Sequence, residues 1–174
     1  MSDSVHRHRD SAPDRVRVAI LTISDTRTPE TDTGGDSIDE LMRGAGHEVV
    51  ERGIVGDDAT RIRTELSDLL SRSDVDAVIT TGGTGISARD TTYEVVDRML
   101  EKRLDGFGEI FRMLSYEEIG AAAVLSRAVA GAVGDKFVAC LPGSRNAVRL
   151  AVEKLLVPEI AHAVFELRKH REGR

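Results

Sequence analysis

This 174-residue chain has one cysteine, no tryptophan, no excess of basic charge and no long apolar run. A single cysteine, Cys140, excludes an intrachain disulfide and fits a reducing, cytoplasmic setting. It sits inside the apolar run FVACL, where it reads as a small buried hydrophobe rather than a nucleophile, because an apolar setting raises a thiol pKa. With no Trp, two Tyr and four Phe, the core has to be built from Val, Leu, Ile and Ala. No segment approaches the ~18 apolar residues that a membrane span needs. The formal net charge of −6 argues against a nucleic-acid surface, which needs clustered Lys and Arg. A nucleotide held by backbone amides and one or two cations remains compatible with it.

Several motifs are missing too. No lysine follows the glycine-rich segment in Walker A register, and the dinucleotide fingerprint G-x-G-x-x-G is absent. No Ser-His-Asp or Cys-His set stands out. The first 14 residues have no apolar signal-peptide core; with His6 and His8 they read as a disordered arm, a metal site there being the alternative. Residues 171–174 form a charged tail, leaving one domain over 15–170 with no repeat or linker.

The stretch AVITTGGTGISARD, Ala77 to Asp90, organises what is present. A short β-branched run, two threonines, then Gly82, Gly83 and Gly85 around Thr84 lead to an acid ahead of a helix-like pattern. Such a strand, glycine loop and helix start is how α/β proteins hold an anion on backbone N–H groups. A plain tight turn is the alternative.

Around it, strand and helix patterns alternate. Strands are expected at Val16 to Ile23, at His47 to Val55 near a sheet edge, and at Ala77 to Thr81. Two more, Val129 to Val133 and Phe137 to Leu141, are joined by a hairpin at 134–136 that adds one antiparallel strand. Helices are expected at Asp36 to Arg43, Ala59 to Ser71, Thr92 to Arg103 and Phe107 to Leu114. A new helix opens at a capping box on Ser115, and another runs from Ser144 until Pro158 breaks or restarts it. The pattern predicts a three-layer α/β/α fold with a mostly parallel central sheet. Ser24-Asp25, Asp57-Asp58, Thr81 to Asp90 and Pro142 to Ser144 each follow a strand, so all four should share one rim. One of the paired aspartates would cap the following helix; which one is left open.

A phosphate-holding loop beside carboxylates calls for a positive charge between them, and Mg²⁺ is the usual supplier. Phosphoryl or nucleotidyl transfer is the chemistry this favours, with Arg127 and Arg145 as candidate cations for a second anionic group.

TISDT at 22–26, TTGGTG at 80–85 with ARD at 88–90, GFGEIFRMLSYEEIG at 106–120, SRAVAG at 126–131 and LPGS at 141–144 carry a resemblance. Over Val16 to His170 the chain resembles the MoaB/MogA family of molybdenum cofactor biosynthesis, its MoaB branch above all. The resemblance implies Mg²⁺-dependent adenylyl transfer from ATP to molybdopterin, giving adenylyl-molybdopterin and pyrophosphate. It implies Asp57 and Asp90 as the catalytic acids, with Asp57 also handling the metal. It puts Thr81, Gly82, Gly83, Thr84 and Gly85 at the phosphates, and Ser24, Asp25, Ser126, Arg127, Pro142, Gly143 and Ser144 around the pocket. The family pattern has Pro-Asp where this chain has Gly56-Asp57. A homo-trimer or homo-hexamer is also implied, with other proteins of the pathway as possible partners, and a small-residue helix at Ala121 to Ala130 would suit the interface. A non-catalytic molybdopterin-binding protein is the alternative from another class; an unrelated nucleotide-phosphate hydrolase is a third.

Overall fold

Near-continuous apolar runs become central strands because both of their faces are covered. The computed structural model, which describes residues 13–169, has β1 (Arg17–Ile23), β3 (Ala77–Thr81) and β6 (Lys136–Leu141) in the middle of a six-stranded sheet. The order is β2-β1-β3-β6-β5-β4, with β2 (Glu48–Val55) on one edge and β4 (Lys102–Arg103) on the other. β2, β1, β3 and β6 are parallel. β5 (Val129–Val133) runs against both neighbours, so the expected single antiparallel strand is present. The arm and the tail lie outside the described residues, apart from Pro13 and Asp14, which are exposed.

Alternation along the strands sorts the core into two layers. Val18, Ile20, Ile79, Ala139 and Leu141 face α1 (Thr33–Gly44), α4 (Asp105–Ile119), α5 (Arg145–Ala151) and α6 (Val157–Arg168). Ala19, Leu21, Val78, Val138 and Cys140 face α2 (Ala59–Ser71) and α3 (Thr92–Met99). Cys140 is fully buried and its thiol is pushed up to about 12 by desolvation, as its apolar run implied.

Four expectations are corrected. The helix placed at Asp36 starts at Thr33, because Asp32 caps it and accepts from the Gly35 amide. Thr92 to Arg103 is not one helix: α3 stops at Met99, and Lys102 and Arg103 pair with β5. No helix opens at Ser115. That side chain is buried in the middle of α4 and donates back to the Phe111 carbonyl, 2.8 Å away. The small-residue segment is a 3₁₀ turn, Gly120–Leu125, leading into β5 rather than a helix to Ala130. Near Pro158 the chain keeps turning: a π-helical turn, Val152–Leu156, joins α5 to α6 and absorbs the missing N–H.

Candidate functional site

Parallel strands deliver their carboxyl ends to one rim, and the polar clusters meet there. At the end of β1, the Ser24 hydroxyl accepts from the amides of Thr26 and Arg27, closing a tight turn. Asp25 reaches across to β2: its Oδ1 accepts from the Asp57 amide at 3.1 Å, and its other oxygen pairs with Arg89 from the glycine loop. At the end of β3, Thr81 donates to the Pro142 carbonyl at 2.9 Å, and the Gly82 amide donates to Leu141 at 3.1 Å. Gly143 packs directly on Gly82.

The turn after β3 has room for glycine alone. Gly82 has φ +96°, and a β-carbon there would lie 2.3 Å from the Ile23 carbonyl oxygen. Gly83 has φ +61°, and a β-carbon would lie 2.7 Å from Asp57 Oδ1 and 2.1 Å from Thr92 Oγ1. An acid from β2 and a hydroxyl from the start of α3 therefore press on the same loop residue.

Asp57 and Asp58 separate cleanly. Asp58 is the N-cap of α2, its side chain accepting from the Arg61 amide at 2.9 Å. Asp57 Oδ1 is buried and, among the described residues, has no hydrogen-bond partner; the same holds for Thr91 Oγ1 and Thr92 Oγ1. Burial, then the charges of Asp25 and Asp90, hold the Asp57 carboxyl above the usual range, with Arg89 opposing. Asp57 thus senses Asp90 directly, and the two acids share one end of the sheet.

Asp90 is differently placed. Its Oδ2 accepts from the Ser87 amide at 2.9 Å. Hydrogen bonding from Ser87 first, and from the Gly85 amide, keeps its carboxyl below the usual range against a smaller push from burial. Arg127, expected as a cation for an anionic group, is committed to the loop. It donates to the Thr84 and Gly85 carbonyls, pairs with Glu94, and stacks on the Tyr93 ring at 4.7 Å. Ser126 is half-buried beside it. Ser144 acts as the N-cap of α5. Arg145 is exposed and has no ion pair among the described residues.

Ser24, Thr81, Gly82 and Gly143 line a cavity of about 110 Å³ with Thr22, Arg27, Asp32 and Gly34. A wider cleft of about 630 Å³ shares Arg27 and Asp32 and extends along Thr28, Arg52 and Ile54. Sequence reasoning passed over Arg27, Asp32 and Glu94. Asp32 did carry a signal: an acid just ahead of the Thr33-Gly34-Gly35 helix start. It is buried, accepting from Thr22 Oγ1 at 2.8 Å.

Comparison with known proteins shows the family and the fold. The family described as a probable molybdopterin binding domain matches residues 19–162. Molybdenum cofactor biosynthesis protein B of Bacillus cereus is 51% identical over 170 residues, covering 97% of this chain and 99% of that protein. A crystal structure of a molybdenum cofactor biosynthesis protein B superposes with a TM-score of 0.89 at 50% identity, covering 92% of this chain and 100% of the other. The tungsten cofactor synthesizing protein MoaB from Pyrococcus furiosus does so at 0.80 and 37% identity, covering 90% and 99%. The fold, the rim and the matched residues together make this chain a member of the MoaB/MogA family of molybdenum cofactor biosynthesis proteins.

Proposed function

We propose that the chain transfers the adenylyl group of ATP to molybdopterin. A terminal phosphate oxygen of molybdopterin forms a bond to the α-phosphorus. The bond from that phosphorus to the bridging oxygen breaks, and pyrophosphate leaves with the electron pair. The observation that carries this reading is the buried, unpartnered Asp57 Oδ1 against Gly83 and Thr92. A carboxylate oxygen buried without a partner is costly unless something positive meets it in the working state.

Mg²⁺ fits that requirement, and Asp57 would hold it. The described residues contain no cluster of three or more His, Cys, Asp or Glu able to hold a metal by themselves. Mg²⁺ is usually bound by one or two carboxylates and completed by substrate phosphates. When bound, it would neutralise phosphate charge during transfer. The chain's own share is positioning. Those glycine-loop amides not bonded within the protein would meet the phosphates, the start of α3 offers Thr91 and Thr92 hydroxyls not used for capping, and Asp90 holds the loop through the Ser87 amide. The working form is read as a homo-oligomer.

The test is one incubation with molybdopterin, α-labelled ATP and Mg²⁺. Adenylyl-molybdopterin and pyrophosphate should appear in equal amounts. Asp57→Asn should lower turnover by about 10³-fold or more while molybdopterin still binds. Asp90→Asn should lose transfer as well. Pterin retention without pyrophosphate release by the unmodified protein would instead make it a non-catalytic binding protein.

A further inference from the structure

We propose that Arg127 is a positioning residue that fixes the orientation of the glycine loop's peptides, and not a contact for the substrate's charge. The inference rests on reading that loop as the phosphate-binding element. The guanidinium is engaged along its edge and on one flat side. Nε donates to the Thr84 carbonyl at 2.8 Å and one terminal nitrogen to the Gly85 carbonyl at 2.5 Å. The other terminal nitrogen pairs with Glu94, whose carboxyl is held below the usual range chiefly by that hydrogen bond. The flat side lies 4.7 Å from the centre of the Tyr93 ring. With its charge met by Glu94 and four of its five N–H groups already donating within the protein, little is left to attract a phosphate.

What the clamp does follows from peptide geometry. The chain has no cis bond among the described residues, so each carbonyl points opposite to the N–H of the next residue. Pulling the Thr84 and Gly85 carbonyls onto Arg127 turns the N–H groups of Gly85 and Ile86 away from it. Asp90 takes the Ser87 amide at 2.9 Å, and its carboxylate lies against Gly85. The loop is thus gripped by two of its carbonyls and by one of its amides. Arginine is suited to the carbonyl side because its fork reaches two acceptors while its plane stacks; lysine offers one point donor.

Two variants, Arg127→Lys and Arg127→Gln, are compared with the unmodified chain by amide hydrogen exchange and by Mg-ATP titration. Thermal unfolding confirms that each variant folds. Exchange at residues 84–90 should rise by about tenfold or more in both variants, while β1 and β6 are unchanged. ATP affinity should fall by about tenfold or more in both. Wild-type exchange over 84–90 in the variants would overturn the clamp. So would Arg127→Lys binding ATP as well as the unmodified chain does, since a point charge would then suffice. If the unmodified chain binds no ATP, the adenylyl-transfer reading fails by itself, and the exchange comparison still decides the clamp.

Discussion

Asp57 keeps one carboxylate oxygen buried and unpartnered, while the adjacent Asp58 spends its side chain on the Arg61 amide. The consequence is a pH dependence with a definite sign. Burial first, then Asp25 and Asp90, raise the Asp57 pKa in the folded chain above its unfolded value of about 3.9. The native state therefore holds this proton more tightly than the unfolded chain does. That contribution is fully present below the unfolded pKa and is lost as pH rises through the folded one. Asp57→Asn carries no charge at any pH, so it should unfold at a higher temperature than the unmodified chain at pH 7. The difference should vanish below about pH 4. Melting curves at the two pH values check this; an equal gap at both would mean that Asp57 is not the group responsible. A variant that gains stability while losing AMP transfer would mark a residue retained for chemistry.

At the scale of the element, Asp58 is a helix cap and should behave as one. Asp58→Ala removes the acceptor for the Arg61 amide at the head of α2 and should cost about 1 kcal/mol in urea denaturation. AMP transfer should survive, in contrast to Asp57→Asn. The sequence could state that one of these two acids caps the helix but not which, since the answer depends on the direction in which β2 leaves the sheet. Strong periodicity made other elements readable: α2 spans the residues its apolar stripe marked, and the apolar strands fell where expected. What escaped was short or was decided by distant partners. β4 is two exposed residues that exist as a strand only because β5 lies beside them. Ser115 has capping-box spacing to Glu118, but burial inside α4 gave its hydroxyl another acceptor. For the site, convergence of the four strand-end clusters on one rim could be read from topology. The Arg127 clamp could not, because Glu94 is 33 residues away in the chain and only the fold brings it near.

Across the whole molecule, α4 is apolar on two sides. Phe107, Phe111 and Leu114 turn inward to the core, as expected for a helix packed on a sheet. Ile110, Met113, Tyr116 and Ile119, spaced by three, form a second stripe that faces outward, and Val124 and Leu125 continue it onto the 3₁₀ turn. Met113 is 56% exposed and Val124 78%. Scattered exposed apolar residues need no explanation, but an aligned row on one helix face does. A helix with an apolar stripe on each of two sides is ordinarily covered on both. The surface that would carry assembly is therefore the outer face of α4 together with the adjoining 3₁₀ turn, which takes in part of the small-residue segment at Ala121 to Ala130. In sedimentation equilibrium the chain should behave as a trimer or hexamer of its 18.9 kDa protomer. The double substitution Met113→Glu with Ile119→Glu places two charges in the stripe and should release monomers, because burying unpaired carboxylates opposes association. Met113 and Ile119 are exposed rather than part of the core, so the monomers should retain their fold. An unmodified chain that sediments at 18.9 kDa would mean that the stripe is not an interface between copies.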